Sequence, residues 1–127
     1  MAKPTVRRRF TAAEANRTLP LVRRIVADLL NYGRELHKLS RRPDQPGARE
    51  RSGELDALIR DLLQELARIG CTYKDWGFEY GLVDFPGEIG GESVLLCWRS
   101  DEPAVVWYHT ADGGFAGRRP IPDELLD

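Results

Sequence analysis

The sequence predicts an α+β fold. A long antiparallel helical hairpin packs on a three-stranded antiparallel β-meander, and an irregular C-terminal tail follows. Apolar residues recur at three- and four-residue steps in the first half, whereas short β-branched and aromatic runs fill the second half. A chain of 127 residues fits one domain. We expect a flexible basic arm over 1–10, the helical hairpin over 11–70, the meander over 71–120 and the tail over 121–127.

The first helix has a clear start signal. Thr11 and Glu14 have the spacing of a capping box, in which each side chain bonds the other residue's backbone N–H. The apolar stripe then runs to Leu39. Pro20 lies inside this stripe and cannot donate to the carbonyl four residues back, so we expect a kink or a restart near Thr18.

The second helix follows a loop over 41–53 that is rich in Arg, Pro and Gly. Ser52 is the expected N-cap, and an apolar stripe runs from Leu55 to Ile69. Gly70 stands where a left-handed C-terminal cap is favoured. Two helices joined by a modest loop predict an antiparallel hairpin.

Three strands are predicted over 81–85, 93–99 and 104–109. Pro86 and the pair Gly90–Gly91 are turn-forming residues and place the first connection between the first two runs. A four-residue turn over 100–103 separates the second and third runs. Consecutive strands with such short connections are expected to pair antiparallel.

A trial register pairs Phe85 with Ser93 in the first hairpin and Arg99 with Ala104 in the second. Residues that alternate along a strand lie on opposite faces of the sheet. In this register, alternate residues of the first and third strands share one face of the sheet, and Cys97 of the middle strand lies on the opposite face.

Asp84 and His109 therefore share a face in this register, and Cys97 points the other way. Trp98 and Trp107 fall on the same face as each other and are expected in the core against the helices. A one-residue slip in either hairpin would invert these assignments.

Both faces of the predicted sheet are substantially apolar, which one solvated face would not show. The helices cover one face, and the tail or a second subunit covers the other. We therefore predict a homodimer, formed through the helices or through the second sheet face. The charge is also uneven: residues 1–69 carry 15 basic and 9 acidic side chains, and residues 70–127 carry 4 and 11. Solvated helix faces explain this asymmetry better than a head-to-tail association of two copies or an acidic protein partner, both of which are left open.

Composition excludes several function classes. The net charge is −1, and the basic groups, such as Arg7–Arg9, lack interleaved aromatic residues, so nucleic acid is not an expected partner. No apolar stretch approaches the ~20 residues of a membrane span, so no membrane partner is expected. We predict a cytoplasmic protein in which Cys71 and Cys97 are free thiols.

Several segments resemble a known family. They are Phe10–Asn16 with Leu19–Pro20, then Ile69–Cys71, Lys74–Asp75, GLVDFP over 81–86, Leu96–Trp98 and GFAGR over 114–118. Over nearly the whole chain the sequence resembles the uncharacterised bacterial family catalogued as domain of unknown function 2203. The resemblance implies a small intracellular bacterial protein with no established activity, and it supplies no catalytic residues.

The candidate ligand-binding residues are Lys74, Trp76, Asp84, His109 and Arg118. No metal site is favoured, because the sequence has no CxxC, HxxxH or HExxH spacing. No cofactor is predicted, and a divalent metal at Asp84 and His109 is the weaker alternative. We therefore expect a non-enzymatic interaction or ligand-binding module.

The alternative function is a small metal-dependent or acid–base enzyme centred on Asp84 and His109. Such a site could draw a further oxygen ligand from Glu88 or Glu102. A Cys–His–Asp nucleophile using Cys97 is disfavoured by the trial register.

Overall fold

The computed structural model describes residues 9–126. Helix α1 spans Ala12–Ser40 and helix α2 spans Ala48–Ile69. Five strands follow: β1 Thr72–Tyr73, β2 Leu82–Ile89, β3 Glu92–Arg99, β4 Trp107–His109 and β5 Arg119–Pro120. They form one antiparallel sheet in the order β1-β2-β3-β4-β5. The α+β class is confirmed, but the sheet has five strands, because two-residue strands flank the predicted three.

Helix α1 begins with the expected capping box. The Thr11 hydroxyl accepts from the Glu14 N–H at 3.1 Å, and the Glu14 carboxylate accepts from the Thr11 N–H at 3.0 Å. The helix then runs through Pro20 without a restart at Thr18. Within this turn the Thr18 hydroxyl donates a hydrogen bond to the Glu14 carbonyl at 2.8 Å. The core contacts of α1 on both sides of Pro20 keep the helix in one piece.

Helix α2 begins earlier than expected. Ala48 is its first residue and Gly47 precedes it in the left-handed conformation, with φ of 79°, so the assignment of Ser52 as N-cap is wrong. The left-handed backbone of Gly47 turns the chain into the helix without a capping hydrogen bond from a side chain. Gly70 ends the helix with φ of 109°, as predicted.

Strand β2 continues through Pro86, where the sequence predicted a connection. The Pro86 carbonyl accepts from the Phe10 N–H at 2.7 Å, so this residue's backbone polar groups face away from β3. The missing N–H of Pro86 therefore costs no hydrogen bond to β3. Gly90 and Gly91, with φ of 58° and 83°, then close a tight hairpin.

This longer strand changes the register. Asp84 pairs with Cys97 and Phe85 with Leu96, so the first hairpin is shifted by three positions from the trial register. In the second hairpin Leu95 pairs with His109, a shift of one position. Both shifts are odd, and each one therefore exchanges the faces of the strands that it relates.

The two tryptophans lie on opposite faces, which corrects the prediction that both belong to the core. Trp98 is completely buried, in the same cluster as Val22 and Leu29 of α1. Trp107 pairs with Cys97 on the other face, where the Arg118 guanidinium lies 5.0 Å from its ring centroid. The helices therefore cover one face of the sheet, and the segment that follows β4 covers part of the other.

Phe10 belongs to the core and not to a flexible arm. Its side chain is 2% exposed and packs edge-on against Phe85, with 5.2 Å between ring centroids. Residues 1–8 of the predicted arm lie outside the described residues. In the predicted tail, Ile121 is buried and Asp123–Leu125 form a 3₁₀ turn. Among residues 9–126 no helix is long and apolar enough to cross a membrane.

Candidate metal centre

Asp84, Cys97 and His109 meet on the sheet face that points away from the helices. Asp84 on β2 lies directly opposite Cys97 on β3. His109 on β4 is opposite Leu95, two residues from Cys97 and so on the same face. One possible ligand atom from each side chain lies within 4.8 Å of the other two. Three neighbouring strands thus contribute one metal-ligating side chain each.

Hydrogen bonds fix the orientation of the His109 ring. Nδ1 lies 2.7 Å from the Thr110 carbonyl oxygen, which can only accept, so Nδ1 carries the hydrogen. Nε2 lies 3.1 Å from Asp84 Oδ1. In a neutral ring Nε2 would present a lone pair to the carboxylate, so a proton or a cation is needed between the two atoms. A histidine whose other nitrogen is held by a backbone carbonyl is the usual arrangement of a metal ligand.

The Cys97 thiol is held in its neutral form when no cation is present. Burial raises the pKa of Cys97 to about 12, and the negative charge of Asp84 adds to the effect, although Arg118 opposes it. The thiol lies beside the Asp84 carboxylate, within 4.8 Å. A neutral thiol is a poor nucleophile but becomes a strong ligand once a metal displaces its proton. The site therefore suits metal binding better than cysteine catalysis.

A pocket of about 270 Å³ opens beside the three side chains. Asp84, Cys97 and His109 are 5%, 2% and 4% exposed, so they lie at its buried end. The other lining residues are Lys74, Leu82, Leu95, Ala111, Gly114 and Phe115. A small molecule that enters this pocket would reach the three ligand atoms.

Arg118 packs against the wall of the pocket that Phe115 forms. Its guanidinium donates to the Glu102 carboxylate at 2.7 Å and to the Cys97 carbonyl at 3.2 Å. It also lies 4.6 Å from the ring centroid of Phe115 and 5.0 Å from that of Trp107. Arg118 thus ties the segment after β4 to β3 at the residue that carries the thiol.

The structure brings some of the candidate residues together and separates others. Lys74, Asp84 and His109 line the same pocket, and Arg118 packs against its Phe115 wall. Trp76 does not line this pocket. Its side chain is 57% exposed and packs on Tyr73, with 5.5 Å between ring centroids.

The two acidic residues considered as extra metal ligands are engaged elsewhere. Glu88 forms an ion pair with Arg9 at 3.4 Å. Glu102 binds Arg118 and accepts the Arg99 backbone N–H at 2.6 Å. Neither glutamate lines the pocket beside Asp84 and His109.

Cys97 is the site residue that the sequence reasoning misplaced. The trial register put it on the opposite face, and the observed register puts it beside Asp84. Extending β2 through Pro86 to the Gly90–Gly91 turn would have revealed this pairing. The Thr110 carbonyl and the Phe115 wall had no signal in the sequence, because both depend on the path of the chain after β4.

Comparisons with known proteins identify a family and a curated relative. A segment of 70 residues, 55% of this chain, is 31% identical to a protein named ATP phosphoribosyltransferase from Desulfitobacterium hafniense (strain Y51). That segment covers 31% of the relative, so the chain spans about a third of its length. No solved structure matches. The family model described as "Uncharacterized conserved protein (DUF2203)" matches residues 8–121, so the chain belongs to this family, as the sequence motifs indicated.

Proposed function

We propose that this protein binds one divalent transition-metal ion through Asp84, Cys97 and His109 and uses it to bind and activate a small molecule. One observation carries the proposal: three ligand atoms of the right kinds lie within 4.8 Å of one another at the buried end of a pocket. The 3.1 Å between His109 Nε2 and Asp84 Oδ1 is close to the ~3.3 Å expected between ligands at ~2.0–2.1 Å from a tetrahedral ion.

The number of ligands favours a reactive centre over a structural one. Structural zinc sites are closed by four protein ligands, whereas catalytic sites have three and leave one position for water or substrate. Among residues 9–126 the cluster contains three such side chains, and the pocket lies beside them. A metal-bound water in this position would be acidic enough to act as a nucleophile near neutral pH. This supports the metal-dependent enzyme over the interaction module that the sequence favoured.

The ligand set favours Zn²⁺. Thiolate and imidazole ligands suit zinc, whereas Mg²⁺ and Ca²⁺ prefer sites made of oxygen atoms. One thiolate and one carboxylate also neutralise a dication, so the loaded site carries no uncompensated charge within the protein. Co²⁺ accepts the same tetrahedral geometry and gives the site a visible spectrum.

The proposal is tested by elemental analysis and by Co²⁺ titration of the purified protein. We expect about one equivalent of zinc and a thiolate-to-cobalt charge-transfer band in the near ultraviolet. Asp84→Asn and His109→Gln should weaken metal binding at least about a hundredfold, and Cys97→Ser should abolish the band. Cys71→Ser is the matched control, because Cys71 is also a buried thiol but lies outside the cluster.

Two results would overturn the proposal. One is less than about a tenth of an equivalent of any transition metal together with no cobalt band. The other is a band that persists in Cys97→Ser but disappears in Cys71→Ser. Circular dichroism of each variant would show that loss of metal binding does not reflect loss of the fold.

We also propose that the protein acts as a homodimer through its helices and resides in the bacterial cytoplasm. The segment after β4 already covers part of the second sheet face, whereas Leu21 on α1 and Leu58 on α2 are 51% and 36% exposed. Cys71 and Cys97 are not joined by a disulfide, which fits a reducing compartment. A monomeric mass in light scattering at micromolar concentration would refute the dimer.

A further inference from the structure

The pocket beside the proposed metal is lined by a cation, the Lys74 ammonium, that has no partner in the described part of the chain. The Lys74 backbone N–H donates to the Leu82 carbonyl at 2.8 Å, which continues the β1–β2 register by one residue. Lys74 therefore shares the sheet face of Asp84, and it lines the pocket. Within residues 9–126 the Lys74 ammonium forms no ion pair and no hydrogen bond.

The acidic neighbours of Lys74 are committed to other groups. The adjacent Asp75 accepts the backbone N–H groups of Gly77 and Tyr80 at 3.1 and 2.7 Å, which holds the loop between β1 and β2. Asp84 is hydrogen-bonded to His109. The exposed Lys74 side chain is thus available to an anion that enters the pocket it lines.

We infer that the pocket binds a small monocarboxylate, with one oxygen on the metal and the other facing the Lys74 ammonium. This inference rests on the proposed metal centre. The charge decides the class of ligand. The thiolate and the carboxylate of the protein neutralise the metal dication, and Lys74 then leaves one positive charge. A singly charged anion balances that charge, whereas a phosphate dianion would leave an excess negative charge next to the buried side chains of Asp84, Cys97 and His109.

The pocket walls indicate what the carboxylate is attached to. Leu82, Leu95 and Phe115 provide an apolar side opposite the polar end. The volume of about 270 Å³ admits a short carbon chain in addition to the carboxylate. We therefore expect butanoate to bind more tightly than acetate, because each buried methylene adds about 0.8 kcal/mol, or roughly fourfold in affinity.

The experiment uses the full chain loaded with Co²⁺. The visible bands of the ion are followed while butanoate, acetate or inorganic phosphate is added at constant ionic strength, with chloride as the reference anion. We expect butanoate to shift the bands at the lowest concentration, acetate at a higher one, and phosphate more weakly than either. Lys74→Met should weaken butanoate binding about tenfold. Lys38→Met is the matched control, since Lys38 is an exposed lysine that does not line the pocket.

The outcomes separate this inference from the metal proposal. If the charge-transfer band forms but no anion shifts the visible bands, the metal centre stands and the carboxylate site is refuted. Tighter binding of phosphate would refute the assignment to a monoanion. Equal butanoate affinities in Lys74→Met and Lys38→Met would refute the role of the lysine. If no cobalt binds, both proposals fail together.

Discussion

The ion pair between Arg118 and Glu102 provides the sharpest test of the packing around the site. Both side chains are largely buried, with 11% and 15% of their surfaces exposed, and the N–O distance is 2.7 Å. Arg118→Met keeps much of the side chain's length but leaves the Glu102 carboxylate without its cation. The Glu102 carboxylate would retain only the Arg99 backbone N–H at 2.6 Å among its described partners.

The expected loss of unfolding free energy in Arg118→Met can be worked out from these contacts. Breaking a buried ion pair from one side costs about 3–5 kcal/mol. The Arg118 Nε–H is buried without a hydrogen-bond partner, and its removal returns about 1 kcal/mol. We therefore expect Arg118→Met to lower the free energy of unfolding by about 3 kcal/mol. Glu102→Gln in the same background should recover part of this loss, because a neutral amide tolerates the site better.

The assay is urea unfolding of the four proteins of a double-mutant cycle, followed by circular dichroism. The matched control is the Arg51–Glu35 pair, which has a similar distance of 2.7 Å but is 39% and 41% exposed. Water screens that pair, so its coupling should be much smaller than that of Arg118 with Glu102. Equal coupling in the two pairs would refute the reasoning from burial.

Three further predictions follow from the site and the sheet. Chelation should lower the melting temperature, because metal binds only the folded chain; an unchanged temperature would contradict a tightly bound ion. In the metal-free protein, the raised pKa of Cys97 stabilises the fold below pH 9.0, and this contribution is lost as pH rises towards about 12. The unfolding free energy of wild type relative to Cys97→Ser should therefore fall by up to about 1.4 kcal/mol per pH unit in that range, whereas a constant difference would refute it. Gly81→Ala should destabilise the protein by about 1–3 kcal/mol in urea unfolding, because the new methyl group would overlap the Val26 side chain, and Gly53→Ala is the open-space control.

The sequence supplied the helices and the order of the strands, because apolar periodicity and capping residues are local signals. It did not supply the register. Pro86 is a turn-forming residue by local preference, but in the fold it lies within β2, with its backbone polar groups facing away from β3. The two register errors were both odd, so they cancelled for Asp84 and His109, which were correctly placed on one face. They did not cancel for Cys97, because its face relative to Asp84 depends on the first hairpin alone.

The rest of the site depends on tertiary structure. The ring of Phe115 reaches the pocket only because the chain turns back over the sheet after β4. Phe10 enters the core through a bridge to Gly87, far from it in sequence. The placements of Phe115 and Phe10 do not follow from the composition of their local segments.

The origin of the three ligands on three separate strands has a consequence for how this protein can change during evolution. Insertions in the connections between strands leave the ligand set intact, because no connecting loop provides a ligand. A single-residue insertion within β3 between the Gly90–Gly91 turn and Cys97 would turn the thiol to the helix side. A second insertion would return it to the site face but about 7 Å along the strand from its place opposite Asp84. Relatives that retain the centre should therefore vary freely in loop length but keep the number of residues between this turn and the cysteine.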